Sequence, residues 1–98
     1  MLLHTVNQSP EAGPAAASCL RAAQAGSHIL LIEDGVYAGR RLCDASTALT
    51  SSGCAIYALR SDVEARGLLA LMATGIELID HAGFVELAVR CHAVQSWY

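Results

Sequence analysis

Residues 28–35 of this 98-residue chain read His-Ile-Leu-Leu-Ile-Glu-Asp-Gly. The apolar part of this segment is too short for a stable isolated helix, and it lies between Gly26 and the turn-forming pair Asp34-Gly35. Parallel strands that are covered on both faces are nearly continuous apolar runs of this kind. We therefore interpret residues 28–33 as a buried strand.

Similar signals recur on both sides of this strand and alternate with helical patterns. Further strands are predicted at residues 2–6, 54–59 and 76–79, with an edge strand at 94–97. Apolar residues at helical spacing predict helices at residues 15–25, 63–71 and 83–91, with a short helix or loop at 37–49. Ser61, with Glu64 three residues later, predicts a capping box at the start of the second of these helices.

The alternation of strands and helices over short loops predicts a parallel sheet with helices on both faces. The expected fold is α/β, a three-layer sandwich with a mostly parallel sheet of the flavodoxin-like or Rossmann-like kind. In such open sheets, sites form beyond the carboxyl ends of the strands. The residues expected at that edge are 7–9, 33–35, 60–62 and 80–81.

The composition has an apolar surplus. Hydrophobic residues make up 54% of the chain and charged residues 15%, whereas an ordinary soluble domain has roughly 25% charged residues. A chain of this length has room for one domain, which we place at residues 1–98, and such a small domain buries only about 60–65% of its unfolded surface. Part of the surplus must then lie on the surface, which predicts an oligomer with sizeable apolar interfaces.

Composition also argues against several classes of function. The apolar runs are far shorter than the roughly 20 residues that span a membrane, and the first ten residues are too polar for a signal peptide. We therefore expect a cytoplasmic protein with no membrane partner. The net charge is −3 and all six basic residues are scattered arginines, so we expect no direct binding of nucleic acid.

The cysteine spacing predicts neither a metal site nor disulfides. Cys19, Cys43, Cys54 and Cys91 contain no CxxC pair, and cytosolic cysteines are normally reduced. The turn after the first strand lacks the glycines that nucleotide binding requires. We therefore expect no metal and no cofactor.

Glu33 and Asp34 form the first candidate site. Paired carboxylates at a strand end can act as acid and base or hold a metal. Adjacent residues on an extended strand point to opposite faces, however, so these two side chains would not converge. The alternative is a strand-ending turn, in which Asp34-Gly35 supplies the bend and neighbouring backbone, Arg40 or Arg41 satisfies the acids.

Cys19 is the candidate for sulfur chemistry, because a thiolate can accept a sulfane sulfur and carry it as a persulfide. It also lies on an apolar helical face, where cysteine often serves as a small buried hydrophobic residue. His81 follows a strand end and could assist proton transfer near neutral pH, whereas His4 in the first strand is interpreted as structural. Trp97 could either cover the core or anchor an interface.

The order of the motifs resembles the TusB/DsrH family of small sulfur-relay subunits. The matching segments are His4-Thr5-Val6-Asn7 with Ser9-Pro10, Ser18-Cys19-Leu20, Leu30-Leu31-Ile32-Glu33-Asp34-Gly35-Val36-Tyr37-Ala38, Tyr57-Ala58-Leu59, Ala65-Arg66-Gly67, Ile79-Asp80 with Gly83-Phe84-Val85, and Val94-Gln95 before Trp97. Together they span nearly the whole chain. The EDGVYA segment is the most specific of them.

The resemblance implies a cytoplasmic heterohexamer with two copies each of three homologous subunits. The implied partners are TusC/DsrF-like and TusD/DsrE-like sister subunits, with a TusE/DsrC-like sulfur carrier as an indirect partner. In the family, the main persulfide-carrying cysteine belongs to the TusD/DsrE-type subunit. The present chain would then be a non-catalytic or sulfur-carrying subunit of a sulfurtransferase complex. DsrH-like members have a cysteine where Cys19 stands and some TusB members lack it, so the resemblance makes Cys19 a sulfur-binding candidate.

Three functions remain open from the sequence. The first is a relay that passes persulfide sulfur toward 2-thiouridine at the wobble position of tRNA. The second is a DsrH-type role in dissimilatory sulfur oxidation inside the cell. The third is an independent α/β domain that binds a small ligand, which would be a stable monomer.

Overall fold

The structure is a computed structural model, and it describes residues 2–98. Its strands are β1 (Leu2–Val6), β2 (His28–Leu31), β3 (Ala55–Leu59), β4 (Ile76–Ile79) and β5 (Ala93–Trp97). Within the described residues they form one parallel sheet in the order β4-β3-β2-β1-β5. The predicted strands and the predicted parallel sheet are confirmed.

Helices connect the strands in sequence order. They are α1 (Ala15–Ala22), α2 (Asp44–Thr50), α3 (Arg60–Ala65) and α4 (His81–Arg90), with 3-10 turns at Glu33–Gly39 and Leu69–Leu71. Within residues 2–98, no helix combines the length and apolar character needed to cross a membrane. The predicted α/β class is confirmed.

The sheet separates two apolar clusters. On one face, Ile29 and Leu31 of β2 pack with Cys19 of α1 and Leu49 of α2. On the other face, Leu3 and Leu30 pack with Leu87 of α4, the helix on that side. The result is the expected three-layer arrangement. The cluster on the face that carries α4 contains fewer buried residues than the cluster on the face that carries α1 and α2.

Strand β2 is central because its side chains are apolar toward both faces. Ile29, Leu30 and Leu31 are completely buried between β1 and β3. The strand ends at Leu31, two residues before its predicted end, because Glu33 adopts a φ of 50° and begins a 3-10 turn. Gly35 is required within that turn, since a Cβ there would lie 1.9 Å from the Val6 carbonyl oxygen.

The predicted capping box at Ser61 is wrong. Strand β3 passes directly into α3 at Arg60, so Ser61 already lies inside the helix and no side chain caps it. The predicted helix at 63–71 is also interrupted, because Gly67 has a φ of 68° and the chain turns before the 3-10 turn at Leu69–Leu71. A side-chain cap occurs instead at Asp80, whose carboxylate accepts a hydrogen bond from the Gly83 amide at 2.8 Å.

The C-terminal strand β5 lies at the edge of the sheet, beside β1. Four of its five residues are exposed, and Trp97 is half-buried. The predicted edge strand is therefore confirmed, with most of its surface available to solvent.

Candidate functional site

The carboxyl ends of β2 and β3 meet at an acidic turn. The backbone amide of Glu33 donates to Asp62 Oδ2 at 2.7 Å. Arg66 Nε donates to Asp34 Oδ1 at 2.9 Å, and Arg66 Nη1 lies 3.7 Å from Asp62 Oδ1. These four residues form one network that joins the turn after β2 to helix α3.

The arginine that pairs with the acidic turn is not one of those predicted. Arg40 instead donates to Glu11 Oε2 at 2.7 Å, and this bond lowers the pKa of the Glu11 carboxyl. Arg41 Nη1 donates to the Ala70 carbonyl at 2.6 Å. The predicted pairing with Arg40 or Arg41 is therefore wrong, and Arg66 takes that place.

The acidic turn has the features of a structural element. Asp34 is paired with Arg66, and Asp62 is occupied by the Glu33 amide. Across residues 2–98, no group of three His, Cys, Asp or Glu side chains is arranged to hold a metal ion. These contacts favour the strand-ending turn, and an acid–base role for Glu33 and Asp34 stays a prediction.

Cys19 lies in the interior. Its side chain is completely buried where α1 packs on the sheet. Burial, with a smaller contribution from Cys54, raises the pKa of the Cys19 thiol to about 12. A thiol with this pKa is protonated at neutral pH, whereas sulfur transfer needs the thiolate. The geometry therefore favours packing as the role of Cys19.

The other cysteines also carry free thiols. Cys91 is buried under α4, and Cys43 and Cys54 are half-buried. The Cys54 thiol donates to the Gln24 carbonyl at 3.4 Å.

Trp97 joins the edge strand to the core through His4. The indole Nε1 donates to His4 Nδ1 at 3.0 Å, and the two ring centroids lie 6.1 Å apart. His4 is 1% exposed, and its Nε2 has no hydrogen-bond partner among the described residues. Burial lowers the pKa of His4, so the ring is neutral and the indole bond places its proton on Nε2. Trp97 thus covers the core, and its use as an interface anchor stays a prediction.

His81 stands apart from the acidic turn. It is the first residue of α4 and is exposed. Within residues 2–98, no hydrogen bond or ion pair joins it to Glu33 or Asp34. The structure therefore does not bring the three predicted supporting residues together.

Sequence reasoning did not identify the exposed apolar residues that the fold leaves on its surface. Leu42 is 100% exposed in the loop before α2, and Val89 and Val85 are 79% and 62% exposed on α4. The apolar surplus of the composition signals that such residues exist. The composition does not show where they lie, because valine is a residue type that also occurs on the buried face of a helix.

Comparison with known proteins identifies the family. The profile of the family described as DsrH like protein matches residues 8–94. Protein TusB of Sodalis glossinidius is 38% identical over 96 residues, which cover 98% of this chain and all of that protein. Protein TusB of Photorhabdus laumondii is 43% identical over 72 residues, which cover 74% of this chain and 76% of that protein.

A solved structure supports the fold separately. The crystal structure of the ychN protein from E. coli superposes with a TM-score of 0.76 at 16% identity, over 97% of each chain. At this identity the likeness concerns the fold alone. The family profile and the curated relatives, which both extend over most of the chain, show that this protein belongs to the TusB/DsrH family.

Proposed function

We propose that the chain is a single-domain subunit of a cytoplasmic sulfur-relay complex that passes persulfide sulfur toward 2-thiouridine at the wobble position of tRNA. The observation that carries this proposal is the 38% identity to a protein TusB over nearly the full length of both chains. Within the complex, the chain holds its sister subunits in place.

The proposed partners are a TusC/DsrF-like and a TusD/DsrE-like subunit, two copies of each in a heterohexamer. The fully exposed Leu42 and the outward-facing Val85 and Val89 support this assignment, because apolar side chains at such positions gain free energy when a partner covers them. A TusE/DsrC-like carrier receives the sulfur from the complex, and is an indirect partner of this chain.

We further propose that the sulfur is carried on a sister subunit. Complete burial and a pKa of about 12 keep the Cys19 thiol protonated and away from a sulfur donor. At the carboxyl edge, the side chains of Asp34, Asp62 and Arg66 fix the turn onto α3. These two observations support a non-catalytic role.

The experiment is co-expression with the two proposed sister subunits, followed by mass spectrometry of each subunit after sulfur loading. We expect the three chains to purify together, a sister cysteine to gain one sulfur atom, and Cys19 to stay unmodified. Cys19→Ala should leave tRNA thiolation unchanged in a strain that lacks the native gene. A persulfide on Cys19, lost in Cys19→Ala together with thiolation, would contradict the supporting role.

A DsrH-type role in sulfur oxidation is the second candidate, and the match to the DsrH-like profile favours it. Deletion of the gene separates the two. Loss of 2-thiouridine from tRNA supports the first function, and loss of stored-sulfur oxidation with intact tRNA supports the second. A chain that stays monomeric and ignores both sisters would overturn both, and would favour an independent ligand-binding domain.

A further inference from the structure

A cavity lies at the amino edge of the sheet, at the opposite end of the strands from the acidic turn. Its volume is about 480 Å³, and its wall includes Leu2 and His4 of β1, Ala22 at the end of α1, and Ser27 just before β2. Pockets that bind small molecules commonly have volumes of about 300–1,000 Å³. The cavity is therefore large enough for a ligand and is separate from the network at the carboxyl edge.

The side chain of His4 projects from β1 toward the face that α1 covers. Val6, two residues later on the strand, packs in the cluster that contains Cys19 of α1, and alternate residues of a strand share a face. The backbone of His4 pairs with β2 on one side and with β5 on the other. The imidazole is therefore the part of His4 that forms the cavity wall.

This imidazole has a donor that the protein does not use. Nδ1 accepts from Trp97 Nε1 at 3.0 Å, so a neutral ring carries its proton on Nε2. His4 is 1% exposed, and its Nε2 has no hydrogen-bond partner among the described residues. Buried polar groups are nearly always hydrogen-bonded. An orphaned N–H group in a cavity wall thus suits a ligand that brings an acceptor oxygen.

The rest of the wall favours an uncharged ligand. The polar side chains that line the cavity beside His4 are those of Gln24, Ser27 and His92, and no carboxylate or guanidinium is among the described lining groups. A charged ligand would lack an opposite charge here, and burying an unpaired charge is strongly unfavourable. Helix α1 ends at Ala22, and the carbonyl groups of a helix end favour a donor and disfavour an anion.

We propose that this cavity binds a small uncharged molecule with a carboxamide group, whose carbonyl oxygen accepts a hydrogen bond from His4 Nε2. The amide N–H groups of the ligand meet the negative end of α1, and its apolar part lies against Leu2 and Ala25. The site is complete within this chain and does not depend on the proposed relay function. A water molecule bonded to Nε2 is the alternative, and it predicts no selectivity among organic ligands.

The test is an NMR titration of the full chain, with isotope-labelled histidine and tryptophan, against three probes of similar size. Benzamide has the carboxamide, benzoate has a charge in its place, and toluene has neither. We expect benzamide to shift the Nε2–H signal of His4, together with the Nε1–H signal of Trp97 that bonds the same ring. Loss of a hydrogen bond at a buried donor corresponds to at least about tenfold in affinity, so benzoate and toluene should bind at least about tenfold more weakly.

A pair of variants locates the binding. Ala22→Phe fills the cavity from an exposed position and should remove benzamide binding while the chain stays folded, as checked by circular dichroism. Ala82→Phe is the matched control, because Ala82 is an exposed alanine of α4, which packs on the other face of the sheet, and it should bind benzamide like the parent chain. Equal affinity for the three probes, or benzamide binding that persists in Ala22→Phe, would overturn the inference. The absence of binding by any probe would also overturn it and would assign the His4 donor to water.

Discussion

Glu33 has a backbone conformation that glycine adopts at lower cost. Its φ is 50°, and the left-handed region costs a residue with a Cβ about 1–2 kcal/mol. Glu33→Gly removes that strain but adds about 0.4–1 kcal/mol of unfolded-state entropy. We expect a net increase in the free energy of unfolding of up to about 1.6 kcal/mol, measured by urea denaturation. Asp34→Gly, which removes the ion pair with Arg66, should lower it; equal effects of the two variants would contradict this account.

Gly35 is constrained by the strand beside it. A Cβ at this position would lie 1.9 Å from the Val6 carbonyl oxygen, which is backbone and cannot move aside. We expect Gly35→Ala to lower the free energy of unfolding by about 3 kcal/mol, at the upper end of overpacking costs. Gly67→Ala is the matched control, because its φ is 68° and the space around it is open. It should cost only about 1–2 kcal/mol of backbone strain.

The sequence predicted a turn at residues 33–35 but not which residues hold it. Asp-Gly after an apolar run is a local signal, and it was sufficient to place the bend. The arginine that pairs with Asp34 lies 32 positions away in the chain, at Arg66. That pairing requires β2 and β3 to be neighbours whose carboxyl ends lie at the same edge of the sheet. The sequence alone did not select Arg66, because Arg40 and Arg41 lie nearer in the chain and have the same charge.

At the scale of elements, the edge strand β5 is held by a bond to the core. Trp97→Phe keeps an aromatic ring against α1 but removes the Nε1 donor, which leaves both nitrogens of buried His4 without a described partner. Losing the partner of a buried polar group costs about 1–3 kcal/mol, and we expect that decrease in the free energy of unfolding. Tyr98→Phe, at an 84% exposed position, should change it by less than about 0.5 kcal/mol.

Element boundaries were less predictable than the elements themselves. The short apolar runs that were predicted as strands are strands in the structure, because each is long enough to pair in a sheet and too short for a stable helix. Ser61 failed as a cap because β3 continues to Leu59 and the helix follows without a loop. The cap pattern is local, whereas the length of β3 is fixed by its pairing with β2 and β4.

At the scale of the whole molecule, composition predicted an apolar surface and could not locate it. The exposed positions of Leu42, Val85 and Val89 depend on where the loop and α4 lie relative to the sheet. The same limit applies to chemistry. Cys19 has the residue type that sulfur transfer needs, and only the packing of α1 shows that its thiol is removed from solvent.

Buried titratable groups set the pH range over which the molecule is most stable. Burial lowers the pKa of His4 and of His28 below 6.5, so as pH falls below 6.5 the unfolded chain takes up protons that the folded chain does not, and the folded state is destabilised. Burial raises the pKa of Cys19 from 9.0 to about 12. The stability that the protonated thiol contributes is therefore fully present below pH 9 and is lost as pH rises toward 12. We expect a plateau between these limits.

Single variants assign the two sides of this plateau. His4→Gln should reduce the slope of the free energy of unfolding below pH 6.5, and Cys19→Ala should reduce the slope above pH 9, each measured by urea denaturation at stepped pH. Burial also raises the pKa of Tyr57, so part of the alkaline slope should remain in Cys19→Ala. An alkaline slope identical to that of the parent chain would mean that Cys19 ionises as freely in the folded chain as in the unfolded one. With the ordinary thiol pKa of 9.0, a small fraction of Cys19 would be thiolate near neutral pH, and a sulfur-binding role for this chain would regain its physical basis.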